Sequence, residues 1–260
     1  MYQTINVEIA SAVATIWLNR PDVHNALDEV LIADLDAAFA RLEGDTAVRV
    51  LVLAGRGRSF CAGADLHWMR RAASATTQEN LLDARRLAAM LQRLARLSKP
   101  TVARVHGPAL GGGVGLAAAC DICIAAQGAS FALSEVRLGL IPAVISPYVI
   151  RAMGTRQALR YMQTAESIAA DRALLLGLAH EVVAANELDA TIIGICASLC
   201  AGGPGSLAAA KALVLDSDAG PLGDPAIERS AQAIARQRAS TEAQEGMAAF
   251  LARRAPAWRR

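Results

Sequence analysis

Three short, mostly apolar segments constrain this chain more than any other feature: Val48–Ala54, Thr101–His106 and Asp121–Ala126. Runs this short, with helix-period segments between them, read as strands buried on both faces in a sheet with parallel pairing. Gly55-Arg56-Gly57 ends the first run, and Lys99-Pro100 stops a long helix expected from about Thr77 to Leu97. Upstream, Ile5, Val7 and Ile9 alternate, as do Val13, Thr15 and Trp17, predicting a hairpin that turns near Ala10–Ala12. Asp28 is placed to cap a helix running to about Glu43, with Leu31, Leu35, Phe39 and Leu42 on one face. From Ser146 onward the pattern is almost wholly helical, with starts near Thr155, Ala169, Glu187, Pro204, Pro225 and Thr241. No linker or low-complexity tract isolates that half. One α/β core with a helical C-terminal extension is expected.

Composition narrows the function classes. Of 260 residues, 54% are hydrophobic and 19% charged, which excludes a disordered chain. Lys and Arg number 26 against 24 Asp and Glu, a balance that argues against a polyanion-binding module. No stretch reaches the ~18 apolar residues of a membrane span, and Met1 to Val13 carries no basic targeting pattern. Five cysteines, an odd number, read as reduced thiols of a cytoplasmic protein. Cys120-x-x-Cys123 has redox or metal spacing, but at a strand start its two side chains should face opposite ways. Cys196 and Cys200 lie one helical turn apart and read as buried small residues. His24, His106 and His180 show no ligand spacing, so no metal site is expected.

The chemistry concentrates in two strand-to-helix turns. Ala109-Leu110-Gly111-Gly112-Gly113-Val114-Gly115-Leu116 follows a strand and opens an apolar helix. A dinucleotide fingerprint would need its third glycine where Leu116 stands, and the Gly-Lys-Ser/Thr of a phosphate loop is missing. What remains is a helix N-terminus with exposed N–H groups and no side chains to keep a ligand away. Such donors can hold developing negative charge on an oxygen. Ser59-Phe60-Cys61-Ala62-Gly63-Ala64-Asp65-Leu66 makes a second turn of the same kind. The two could converge on one oxygen atom.

Together with Ser134-Glu135-Val136-Arg137-Leu138-Gly139-Leu140-Ile141-Pro142 and Cys120-Asp121, these turns give the chain its resemblance to the crotonase (enoyl-CoA hydratase/isomerase) superfamily. The resemblance spans nearly the whole chain. Within the superfamily, Ala62–Met69, Ser134–Ile150 and Glu245–Trp258 are most similar to bacterial methylglutaconyl-CoA hydratases of leucine breakdown.

The resemblance implies a spiral of β-β-α turns over 1–200 and a helical trimerisation region over 201–260, giving a homotrimer or a dimer of trimers. It implies an acyl-CoA thioester as substrate and no separate cofactor. The thioester oxygen would be held by the N–H groups of Ala62 and Gly112, with Gly63, Ala64, Asp65, Leu66 and Gly111 completing the binding turns. Of the two glutamates that family hydratases commonly carry, Glu135 matches the second. Gly115 stands where the first would be, so Glu135 handles both proton movements or another group, Asp65 or His67 by position, holds the water. A single-glutamate Δ3,Δ2-enoyl-CoA isomerase is the rival enzyme reading. An inactive trimeric partner protein is disfavoured by the intact turns. RNA binding, associated in a relative with a lysine-rich helix, is not expected here, because the corresponding helix carries Asp28, Glu29, Asp34, Asp36 and Glu43.

Overall fold

The computed structural model describes residues 2–216 and 223–259. The hairpin forms as expected from β1 (Ile5–Ala10) and β2 (Val13–Leu18). Its two-residue turn places Ser11 and Ala12 at φ of 48° and 65°, the left-handed pair whose twist matches that of the flanking strands. Helix α1 (Glu29–Gly44) crosses over to β3 (Val50–Gly55), which runs parallel to β2. Asp28 caps α1 by accepting from the Leu31 N–H. Helices α2 (Leu66–Ser74) and α3 (Thr77–Arg96) then lead to β4 (Thr101–Val105), parallel to β3. Thr76 and Glu79 close a capping box at the start of α3.

Next come β5 (Ala109–Leu110), α4 (Gly112–Ala119), β6 (Ile122–Ala126) and β7 (Ser130–Ala132). After α5 (Ser146–Thr164) come β8 (Ile168–Ala169), α6 (Ala170–Leu175) and β9 (Glu181–Val183). Helices α7 (Leu188–Ala201), α8 (Pro204–Asp216), α9 (Asp224–Ala239) and α10 (Thr241–Leu251) complete the order. The main sheet runs β1-β2-β3-β4-β6-β9, and a small sheet runs β5-β7-β8. The half beyond Ser146 is therefore not wholly helical. Strands β8 and β9 span two and three residues, too short to leave a periodic signal. The helix expected from Thr155 is the second half of α5, which breaks at Gly154 where φ is 75°.

Burial on both faces of the main sheet explains why these segments are mostly apolar. Leu51 and Leu53 share a core with Leu35 and Phe39 of α1 and Met90 and Leu91 of α3. Val50, Val52, Val102 and Ile124 point the other way, into a smaller cluster with Leu188, Ile192 and Cys196 of α7. No single described helix is long and apolar enough to cross a membrane; α7 and α8 meet such a test only together, and they are bent by 103°.

The C-terminal region is tied to the sheet by polar contacts. Arg49 donates to the Gly202 carbonyl at 2.6 Å, and Trp258 Nε1 to that of Ala201 at 3.1 Å. Lys211 of α8 reaches Asp121 Oδ2 at 2.8 Å, and the same carboxylate accepts from Thr101 N and Oγ1. Of the extension expected over 201–260, residues 217–222 and Arg260 lie outside the described residues. Beneath α8 is a cavity of about 500 Å³ bordered by Cys120, Cys123, Leu178, Leu207 and Lys211. The two cysteines thus border the same space, contrary to the strand-alternation expectation. Cys120 is the C-cap of α4 and precedes the strand, so alternation does not govern it. Both thiols are free and buried, and burial pushes Cys123 up to about 12.

Lys211→Met should lower stability by about 1–3 kcal/mol, because Asp121 loses a charged partner in a half-buried place. The urea denaturation midpoint checks this.

Candidate active site

Two glycine turns meet backbone to backbone. Gly63 has φ of 84° and Gly111 φ of 48°, both in the region that favours glycine. A methyl group on Gly63 would lie 2.9 Å from the Leu110 carbonyl oxygen, and one on Gly111 3.9 Å from Gly63 Cα. Backbone bonds hold this contact in place. Cys61 N–H donates to the Pro108 carbonyl, and Leu110 N–H to that of Cys61. Only residues without side chains fit here.

The small sheet delivers the carboxyl group. Strand β5 pairs in parallel with β7, Leu110 beside Ala132, and Gly111 N–H donates to the Ala132 carbonyl at 2.8 Å. Three residues past Ala132, Glu135 opens a short 3-10 helix, Glu135–Leu138, which Gly139 ends. Leu140 N–H donates back to the Glu135 carbonyl. A methyl group on Gly111 would lie 3.0 Å from Glu135 Oε1, so the carboxyl group rests against the Gly111 turn. Its Oε2 is buried without a hydrogen-bond partner, and burial raises the pKa of the group. A half-buried acid with one unengaged oxygen, beside free N–H donors, can move a proton.

Which N–H groups are free corrects one expectation. The Ala62 N–H donates to the His24 carbonyl at 2.9 Å and cannot serve a ligand oxygen. Segments 24–27 and 62–65 run side by side as a parallel bridge centred on Leu27 and Ala64. Leu27 N–H donates to the Gly63 carbonyl, and Asp65 N–H to that of Leu27. In such a bridge, the N–H of the residue opposite Leu27 points away from the pair. That residue is Ala64, which is exposed, and its N–H has no acceptor among the described residues. Gly112, the first residue of α4, is likewise without an intrahelical acceptor. Ala64 and Gly112 each directly follow one of the two touching glycines. At these turns Ala64 and Gly112 therefore present unpaired N–H groups, and Ala62, expected to do so, does not.

Asp65 is corrected as well. Its carboxylate is buried, accepts from His67 N and Trp68 N as the cap of α2, and pairs with Arg20. Burial works against the charged form, but those hydrogen bonds and the Arg20 guanidinium outweigh it and hold the carboxyl below its usual range. Both oxygens of Asp65 are thus engaged within the protein. His67 is exposed on the first turn of α2, and Leu66 is 70% exposed beside it. Cys61 is wholly buried with its thiol pushed up to about 12, which rules out a thiolate nucleophile. Among the described residues, no group of three or more His, Cys, Asp or Glu side chains could hold a metal ion.

Gly115 shows why no second acid stands on α4. A Cβ there would lie 2.8 Å from Ile145 Cβ and nearer still to its Cγ2. Ile145 is 3% exposed at the start of α5, so it has no room to withdraw. Sequence reasoning missed both Ile145 and Arg20. The pairing of Ile145 with Gly115 left no local signal, whereas Asn19-Arg20-Pro21 just ahead of the Asp28 cap was visible.

The enoyl-CoA hydratase/isomerase family pattern matches residues 8–260. The chain belongs to the enoyl-CoA hydratase/isomerase family. It is an enzyme of the enoyl-CoA hydratase kind with the crotonase fold. The solved structure of an enoyl-CoA hydratase from Shewanella pealeana superposes with a TM-score of 0.96 at 41% identity, covering 98% of this chain and 96% of that one. The crotonyl-CoA hydratase of Syntrophomonas wolfei is 33% identical, with 97% of this chain and 96% of the relative covered. The (E)-benzylidenesuccinyl-CoA hydratase of Thauera aromatica is also 33% identical, with 98% of each covered.

Gly115→Glu alone should lower the melting temperature, since overpacking a filled core costs typically 1–3 kcal/mol. Adding Ile145→Gly should recover part of the loss. Differential scanning calorimetry of the single and double variants checks this.

Proposed function

We propose that this protein adds water across the α,β double bond of an enoyl-CoA thioester, with methylglutaconyl-CoA as the favoured substrate. The observation that carries the reading is Glu135, half-buried with one unengaged oxygen, against a turn whose neighbouring N–H groups are unpaired. Ala64 and Gly112 would hold the thioester oxygen. The ionised Glu135 takes a proton from water as the hydroxyl oxygen bonds to the β-carbon. Charge moves to the thioester oxygen, where the two N–H groups stabilise it. Glu135 then returns its proton to the α-carbon, so one water is divided between the two carbons and the acid ends as it began. Leu138, Leu140 and Ile141, exposed just beyond Glu135, suit an apolar acyl group. The substrate choice rests on the similarity over Ala62–Met69, Ser134–Ile150 and Glu245–Trp258.

A second reading has one specific observation in its favour. With Gly115 closed off by Ile145, a single carboxyl group serves the site, and moving a double bond from Δ3 to Δ2 needs only one base that shuttles one proton. Reaction in ¹⁸O-labelled water separates the two. A hydratase places the label on the β-carbon, and an isomerase incorporates none. Incorporation is expected. Glu135→Gln should lower turnover by ~10²–10⁴, the usual contribution of a general acid or base, while acyl-CoA affinity changes little. Turnover near the unmutated rate would refute the assignment. Because burial raises the Glu135 pKa and the base must be ionised, kcat/KM should fall on the acid side with an apparent pKa above that of a free glutamate.

We read the chain as a spiral core over 1–200 and a trimer-building region over 201–260. Phe250 and Leu251 of α10 are 82% and 81% exposed, and Val214 of α8 is 73% exposed. Large apolar side chains left this exposed are suited to an interface. A homotrimer or dimer of trimers is expected by analytical ultracentrifugation at micromolar protein; a stable monomer would contradict it. The free thiols fit a cytoplasmic location.

A further inference from the structure

The Ala64 N–H is aimed by a turn that a half-buried ion cluster holds at both edges. Arg20 Nη2 lies 2.9 Å from Asp28 Oδ2 and 3.1 Å from Asp65 Oδ2, and its Nη1 donates to the Ala26 carbonyl. The three side chains are 19%, 15% and 6% exposed. Each carboxylate divides its work. Asp28 Oδ1 caps α1 through Leu31 N, and Asp65 Oδ1 caps α2 through His67 N and Trp68 N. One guanidinium is therefore shared by the first turns of two helices. Without it, two carboxylates would face each other across a largely buried gap. Asp65 N–H donates to the Leu27 carbonyl at 2.8 Å, so the same cluster sets the spacing of the Leu27–Ala64 bridge.

We propose that Arg20 is a positioning residue, which acts through Asp65 and Asp28 to fix the direction of the Ala64 N–H at the thioester oxygen. This rests on the acyl-thioester reading of the site given above. A planar fork suits the task, because it engages two carboxylates and a carbonyl at once, which an ammonium group on a flexible stem does not reproduce.

The test uses cinnamoyl-CoA, whose absorbance shifts to the red when its thioester carbonyl is polarised. Binding is measured in full-length protein carrying Glu135→Gln, so that the ligand persists, and kcat in protein with Glu135 intact. With Arg20 present, a red shift is expected on binding. Arg20→Ala should abolish most of the shift and lower kcat by about 10²-fold, the loss expected when a preorganised donor is misaimed, with affinity little changed. Arg20→Lys should recover part of both. Arg71→Ala is the control. Arg71 joins Glu29 at 2.6 Å across the same two helices on their exposed side, and its loss should leave shift and kcat unchanged. Should Arg20→Ala yield no folded protein, Asp65→Asn carries the test, because asparagine still caps α2 but no longer charges the pair. A diminished shift in that variant supports the proposal.

A full red shift and full kcat in Arg20→Ala, or a full shift in Asp65→Asn, would overturn it. An equal loss in Arg71→Ala would also overturn it, since any tether between the helices would then suffice. If cinnamoyl-CoA binds with no shift even with Arg20 intact, the thioester reading of the site fails and takes the Arg20 assignment with it.

Discussion

The site depends on a contact between two stretches of bare backbone. Gly63 and Gly111 approach so closely that a side chain on Gly63 would strike the Leu110 carbonyl, and one on Gly111 would press on the Glu135 carboxyl group. That approach is possible only because each residue sits at positive φ and each turn is pinned by strand-type bonds to its neighbours. Everything the site needs follows from it. The residue after each glycine presents an unpaired N–H, and the β5–β7 pairing brings Glu135 up against Gly111. Donors built from backbone on fixed elements need no reorganisation when charge appears, which is where such sites gain most of their effect.

A single carboxyl group is a consequence of packing as much as of sequence. Ile145 fills the space into which any side chain on Gly115 would grow, so α4 offers donors at its first turn and nothing acidic one turn further on. Glu135 is left with one oxygen against the glycine turn and the other buried and unengaged. The cavity beneath α8 lies elsewhere. It is bordered by the Lys211–Asp121 pair and by buried thiols, and it touches neither glycine turn nor Glu135.

The long elements were readable because their signals are local. The hairpin, the Asp28 cap on α1 and the buried run of β3 each follow from a period, a capping residue or a turn. Strands β8 and β9 were not readable, since two or three residues cannot show a period and their pairing partners lie far along the chain. At the site, the two glycine turns and Glu135 stood out by residue type. The donor within the Ala62–Asp65 turn did not, because which N–H faces the ligand is decided by the register of a bridge to Leu27. The cysteine pair misled for a related reason: Cys120 belongs to a helix end, one step before strand geometry begins.

The fit between Gly115 and Ile145 also bears on how this site can change over generations. An acid at 115 meets a buried isoleucine, and a smaller residue at 145 alone leaves a hole in the core. Either change by itself is harmful, and only the two together could be neutral. A lineage holding this pair is therefore separated from a two-carboxylate site by a fitness valley. Its chemistry is free to drift by altering what surrounds Glu135, while the number of acids at the reaction centre stays fixed.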